Sequence, residues 1–119
     1  MKTILLSLIC SVSMAQEAFQ VEMDVKRDTK LESECTRGVV LFGFKDDSFA
    51  FQYRNEIYQF DGCFVISSSE NDRTVQCTEF LLQEKYQIRF LTKDYITFIV
   101  VNIEHNFPNF VLSTKQICK

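Results

Sequence analysis

The chain has 119 residues and a formal net charge of −3, with 12 Phe, 4 Tyr and five Cys but only one Pro and three Gly. This length suits a single domain with a core of modest size. The acidic balance argues against a nucleic-acid-binding protein, which normally presents a basic face. Beyond the N-terminal segment, no apolar run approaches the roughly 20 residues of a membrane helix. We therefore expect neither nucleic acid nor a membrane as a partner.

The first fifteen residues, MKTILLSLICSVSMA, have the three-part layout of a secretory signal peptide. Lys2 gives a positive start, residues 4–12 are mostly apolar, and Ser13 and Ala15 are small residues at −3 and −1 of a cleavage point before Gln16. We expect residues 1–15 to be removed and residues 16–119 to form a single β domain. The expected location is secreted and extracellular.

Four cysteines remain after the leader: Cys35, Cys63, Cys77 and Cys118. In an oxidising compartment an even number of cysteines predicts disulfides, here two, and four cysteines allow three pairings. No pair has the Cys-x-x-Cys spacing, and a zinc site would need His105 or carboxylates as further ligands. The residues alone leave the pairing open, and they indicate no metal and no cofactor.

In the first half of the mature chain, alternating apolar and polar residues predict β-strands. Residues 26–36 are highly charged and are predicted to form a loop or a short exposed turn of helix. Gly43 marks a bulge or bend, and Asp46–Asp47 and Asp61–Gly62 are predicted turns. The strands predicted in this half are residues 19–25, 39–44, 49–53 and 57–60.

The second half continues the pattern, with polar loops at 68–72 and 104–108. Its predicted strands are residues 63–67, 74–80, 85–90, 95–103 and 110–113. Eight or nine short strands joined by short turns predict an antiparallel meander. The fold class we expect is all-β, a small antiparallel up-and-down barrel or barrel-like meander with two disulfides, in preference to a sandwich.

Catalytic patterns are sparse. His105 is the only histidine and lies in a polar loop, where a general base is conceivable but an exposed loop residue is the simpler interpretation. There is no Gly-x-Ser-x-Gly, no His-Glu-x-x-His and no Gly-rich phosphate loop in the sequence. The acidic pairs Asp46–Asp47 and Glu70 with Asp72 lack the spacing of a calcium loop. We expect no enzymatic activity.

The surplus of aromatic residues has two interpretations. One is a filled core, which we favour for so short a chain; the other is an apolar cup for one small hydrophobic ligand. Tyrosines are the best ligand-facing candidates, because a buried hydroxyl needs a partner. The candidate ligand-binding residues are Phe51, Tyr53, Tyr58, Phe64, Tyr86, Phe90 and Phe98.

Residues 83–101, QEKYQIRFLTKDYITFIVV, resemble the consecutive final strands of lipocalins, a calycin family. Lys85 and Tyr86, the turn at 92–95 and the apolar run at 96–101 match the pattern, and residues 110–114 look like the following strand. The resemblance implies a secreted β-barrel that carries a small hydrophobic molecule. Because the family often ties a mid-barrel strand to a C-terminal cysteine, it also implies Cys63–Cys118 and therefore Cys35–Cys77.

The first functional hypothesis is thus a secreted, non-catalytic, lipocalin-like binding protein for a small hydrophobic ligand. The alternative is a secreted protein-binding effector or inhibitor with a filled barrel, which would act on an extracellular protein through the loops at 26–36, 68–72 and 104–109. An enzyme that uses His105 with a nearby carboxylate is the third and least favoured hypothesis. The sequence leaves the oligomeric state open.

Overall fold

The computed structural model describes residues 17–119, so the predicted signal peptide lies outside the described residues. Each strand pairs antiparallel with the next, and the last strand pairs with the first, which closes the sheet into a barrel. This confirms the predicted all-β up-and-down barrel. The strands are β1 (Glu17–Asp28), β2 (Ser33–Lys45), β3 (Ser48–Tyr53), β4 (Glu56–Ser69), β5 (Asp72–Glu79), β6 (Lys85–Leu91), β7 (Thr97–Asn102) and β8 (Asn109–Ser113).

The interior of the barrel is built from every second residue of each strand, as a half-buried sheet requires. Met23 and Val25 point inward from β1, for example, while Glu22 and Lys26 stay exposed. Each fully buried side chain of this size contributes about 1.5–3 kcal/mol through its removal from water. Across the part of the chain described, no helix is long and apolar enough to cross a membrane.

The charged segment 26–36 is not a loop, and that prediction was wrong. β1 and β2 form one long hairpin in which Asp28 pairs with Ser33, and only residues 29–32 make the turn. The Thr29 amide donates to the Glu32 carbonyl at 2.8 Å, and the Glu32 amide donates to the Thr29 hydroxyl at 3.1 Å. Both faces of this part of the hairpin carry charged residues, which hides the period-two pattern that a strand normally shows.

β4 contains a β-bulge, whereas the sequence predicted a bulge or bend at Gly43 on β2. Its register with β5 shifts between Asp61 and Phe64, so the predicted turn at Asp61–Gly62 is a bulge within one continuous strand. Gly62 has φ of +61°, a left-handed conformation that glycine adopts without strain. At Gly43, by contrast, pairing with both neighbouring strands continues unbroken, and the bulge or bend expected there is absent.

The disulfides are Cys35–Cys118 and Cys63–Cys77, which contradicts the pairing implied by the lipocalin resemblance. The bulge in β4 brings the Cα of Cys63 to 4.1 Å from the Cα of Cys77 on the neighbouring strand. Cys118 lies in the tail after β8, which returns to the β1–β2 hairpin and meets Cys35 with a Cα–Cα distance of 5.4 Å. Two disulfides in a small β domain are consistent with an extracellular protein.

Asp24 fastens the same tail noncovalently. Its buried carboxylate accepts the backbone amides of Ile117 at 2.6 Å and Cys118 at 2.8 Å, and the Arg37 guanidinium at 2.8 Å. These donors, the Cys118 amide above all, hold the pKa of Asp24 below its ordinary value. The tail is therefore bound to the hairpin by a disulfide and by an ionised carboxylate.

Candidate ligand-binding site

The two ends of the barrel differ. At the end that we call the packed end, the connections are residues 29–32, 54–55, 80–84 and 103–108. At the opposite end, the cavity end, the connections are residues 46–47, 70–71 and 92–96. The middle layer between them is filled by fully buried side chains such as Phe51, Phe60, Ile88 and Val100.

A cavity of about 610 Å³ occupies the cavity end. Its size lies in the range of natural small-molecule sites, which is about 300–1,000 Å³. The lining comes from β2 to β7 and the turns between them: Phe42, Phe44, Asp46, Ser48, Phe49, Cys63, Ser68, Ser69, Glu70, Asn71, Asp72, Arg73, Val75, Phe90, Thr92, Ile96 and Phe98.

The floor of the cavity is a cluster of phenylalanine rings. Phe49 lies 4.9 Å from Phe44, 5.4 Å from Phe90 and 5.5 Å from Phe98, measured between ring centroids, and Phe42 lies 4.9 Å from Phe98. Most of these contacts are edge-to-face, a favoured geometry for aromatic pairs. Phe49 and Phe98 are almost fully buried, whereas Phe44 is 40% exposed. The floor thus presents apolar ring surface to the open cavity.

The rim of the cavity is polar. Arg89 on β6 holds the Asp72 carboxylate through two hydrogen bonds, at 2.9 and 2.6 Å, and this contact lowers the pKa of Asp72. Arg73 also lines the rim but forms no ion pair with any residue in 17–119. An apolar floor beneath a polar rim is the usual distribution of groups in a site for an amphipathic small molecule.

The Cys63–Cys77 disulfide forms part of this site. Cys63 lines the cavity, and Cys77 is almost completely buried in the core below it. The amide of Cys63 donates at 2.7 Å to the carbonyl of Asp47 in the β2–β3 turn. The disulfide and this hydrogen bond together fix the bulged part of β4 as one wall of the cavity.

The seven predicted ligand-binding residues are not brought together at one site. Phe90 and Phe98 line the cavity, whereas Phe51 of the middle layer and Tyr53 and Tyr58 of the packed end surround a space of only about 20 Å³. That space holds about one water molecule. Of the remaining two, Tyr86 is buried and lines neither space, and Phe64 is 57% exposed on the outside of the bulge.

The tyrosines at the packed end have protein partners for their hydroxyl groups. Tyr53 hydrogen-bonds to Thr36, and Tyr58 donates to Glu56 at 3.3 Å. Burial, followed by the nearby charge of Glu56, raises the pKa of Tyr58 to about 12. These hydroxyls therefore stabilise the packed end of the barrel.

The sequence interpretation missed Phe42, Phe44 and Phe49 as cavity residues. The alternation of side chains along the strands could have indicated these residues. Phe42 and Phe44 lie on the same face of β2, and Phe49 on β3 pairs with Phe44. The segment 39–44 is apolar on both faces, however, so the pattern alone did not show which face points inward.

His105 lies exposed at the packed end, where its Nε2 is 3.3 Å from Glu84 Oε2. Neither residue lines the cavity or the small space at the packed end. Within residues 17–119 no group of three or more His, Cys, Asp or Glu side chains is placed to hold a metal ion.

The packed end carries an unusual apolar turn. Phe80, Leu81 and Leu82 follow β5 and are 53%, 74% and 72% exposed. The buried Glu79 carboxylate accepts the amides of Leu81 and Leu82, each at 2.8 Å, so the turn is held in one conformation. Three consecutive exposed apolar side chains are uncommon on a soluble monomer.

We compared the chain with protein-family models, with curated proteins and with solved structures, and none of the three comparisons found a match. The barrel architecture is compatible with a calycin-like fold.

Proposed function

We propose that this protein is a secreted, non-catalytic binding protein that carries one small hydrophobic ligand in the cavity end of its barrel, in the manner of a lipocalin-like carrier. The observation that carries the proposal is the cavity of about 610 Å³ above a floor of phenylalanine rings. Eight-stranded barrels have the size at which the interior is either just filled or holds a single small ligand.

The partial exposure of the floor supports this proposal. Phe44 is 40% exposed although it points toward the interior of the barrel, and it contacts the buried rings of Phe49 and Phe98. An apolar ligand that covers the exposed part of Phe44 gains roughly 25 cal/mol for each Å² of apolar surface removed from water. The packed middle layer below the rings supports them without collapse of the cavity.

A fluorescence titration with N-phenyl-1-naphthylamine, a neutral aromatic probe, tests the proposal. We expect saturable binding to the wild-type protein and weaker binding to Phe44→Ala, because that substitution removes one ring of the cavity floor. Phe80→Ala is the matched control, since it removes a ring of similar exposure at the packed end. Absence of saturable binding, or equal loss of affinity in both variants, would contradict the proposal.

A second candidate is a protein-binding effector that acts through its loops. The exposed turn at Phe80, Leu81 and Leu82 favours it, because apolar side chains on a turn with a hydrogen-bonded backbone make effective anchors in a protein interface. The double substitution Leu81→Asp and Leu82→Asp tests this candidate in pull-downs from extracellular fluid of the source organism. We expect an identified partner to be lost with the double variant and retained with Phe44→Ala, and the opposite pattern would argue for the cavity.

A further inference from the structure

Among the arginines that the structure describes, Arg73 alone has no carboxylate or aromatic ring as a partner within residues 17–119. The chain has five arginines, and the other four each contact a carboxylate or an aromatic ring within residues 17–119. These contacts are Arg27 with Glu34 and Glu56, Arg37 with Asp24 and Glu22, Arg89 with Asp72, and Arg54 with the ring of Tyr53. Guanidinium groups bind planar acceptors through a fixed fork of donors. In Arg73 no carboxylate or aromatic ring of the described chain occupies this fork.

The strand register places Arg73 on the interior side of the sheet. Arg73 pairs with Phe90 on β6 and with Ser68 on β4. Directly paired residues of an antiparallel sheet point to the same face. All three residues line the cavity. The side chains of Arg73, Ser68 and Phe90 therefore lie side by side on neighbouring strands at the rim of the cavity.

Asp72 forms no ion pair with Arg73, although the two are adjacent in sequence. Both carboxylate oxygens of Asp72 are taken by Arg89. Two further carboxylates, Asp46 and Glu70, line the rim on the β2–β3 and β4–β5 turns, and neither forms an ion pair in the described chain. The rim thus offers one cation on its inner face and two anions on its turns, which disfavours a ligand with several negative charges.

We propose that the ligand is an amphiphile with a single carboxylate, whose apolar body covers the phenylalanine floor and whose carboxylate binds the guanidinium of Arg73, with the Ser68 hydroxyl as a second donor. This inference rests on the proposed function, because it names the chemical class of ligand for the same cavity. A carboxylate presents two oxygens in the plane of the guanidinium fork and forms charge-assisted hydrogen bonds with it.

The test uses displacement of N-phenyl-1-naphthylamine by three molecules with the same chain: dodecanoate, 1-dodecanol and dodecylamine. At pH 7.4 we expect dodecanoate to bind about three- to tenfold more tightly than dodecanol, the range for a partly exposed ion pair with good geometry. Arg73→Gln should remove this difference, and Arg73→Lys should retain part of it. Lys93→Gln is the matched control, because it removes a positive charge from the same end without altering the cavity lining.

The outcomes separate the two proposals. If the neutral probe does not bind, the carrier function fails and the ligand class fails with it. If the probe binds equally well to wild type and Arg73→Gln while dodecanol matches dodecanoate, the carrier function stands and the carboxylate assignment is overturned. Tightest binding by dodecylamine would also overturn it and would assign the head group to Asp46 and Glu70.

Discussion

Asp24 concentrates several stabilising contacts in one side chain. Asp24 points away from the barrel interior but is nevertheless buried. Its carboxylate accepts hydrogen bonds from two amides of the C-terminal tail and from one guanidinium. A hydrogen bond to a charged group is stronger than one between neutral groups, and the loss of the acceptor leaves the donors unpaired. The noncovalent part of the attachment of the tail therefore depends on the ionisation of this residue.

Acid should weaken this attachment. The pKa of Asp24 is lower in the folded protein than its ordinary value of 3.8, so the unfolded chain binds a proton first as pH falls. The resulting stability is complete above pH 3.8 and is lost as pH falls through the lower folded pKa. We expect the urea midpoint of Asp24→Asn to vary less between pH 5 and about pH 2 than that of wild type.

Asp94→Asn is a suitable control for that measurement, because Asp94 is exposed and its positive φ of 67° is one that asparagine tolerates. A wild-type acid response that persists unchanged in Asp24→Asn would show that Asp24 does not carry it. Asp72, whose pKa is lowered by Arg89, contributes to the remaining acid response of both variants.

Among the elements, β4 forms one wall of the cavity and carries the bulge. Its bulge shifts the pairing register between β4 and β5 from Phe64 onward and brings Cys63 next to Cys77. The other disulfide, Cys35–Cys118, joins the hairpin to the tail and closes a far longer loop, 83 residues against 14. The two bonds thus act on different parts of the molecule.

Paired alanine substitutions should separate these roles. In the chain-entropy account, removal of Cys35–Cys118 costs about 4.5 kcal/mol of unfolding free energy and removal of Cys63–Cys77 about 3 kcal/mol. Only the Cys63–Cys77 variant should also bind N-phenyl-1-naphthylamine more weakly, since Cys63 lines the cavity. Denaturant unfolding and probe titration of both variants measure the two effects, and weaker probe binding by the Cys35–Cys118 variant alone would refute the assignment.

The sequence predicted the elements where one face is clearly apolar, as in residues 19–25 and 85–90. It failed at residues 26–36, where both faces of the hairpin are charged and only pairing with the opposite strand reveals the structure. The disulfide pairing could not be predicted from the local sequence pattern either. It depends on the bulge that redirects Cys63 and on the path of the tail that carries Cys118.

For the whole molecule, the closed barrel could be predicted from strand number and short turns, whereas the position of the cavity could not. Phe51 and Phe90 show the same alternation in sequence, yet Phe51 is packed in the middle layer and Phe90 lines the cavity. Their difference arises from distance along the barrel axis, which depends on the stagger of the strands. That quantity is a property of the assembled sheet.

Ligand binding should stabilise the entire barrel, because the cavity is lined by residues of β2 to β7 and is lost on unfolding. A ligand present at about 100 times its dissociation constant should raise the unfolding free energy by about 2.7 kcal/mol. Thermal unfolding with increasing N-phenyl-1-naphthylamine measures this effect, and the shift should be smaller in Phe44→Ala than in Phe80→Ala at equal probe concentration. An unfolding temperature that does not change with the probe concentration would argue against an internal site.

The nested arrangement of the two disulfides has a consequence for biosynthesis. Of the four disulfide-forming cysteines, Cys35 emerges first and Cys63 second during synthesis, and these two are not native partners. Until Cys77 follows, any bond that Cys35 and Cys63 form with each other is one that must later be broken by thiol–disulfide exchange. Correct maturation of this chain therefore favours a compartment that both oxidises thiols and reshuffles their bonds, and Cys35 finds its native partner only after Cys118 has been made.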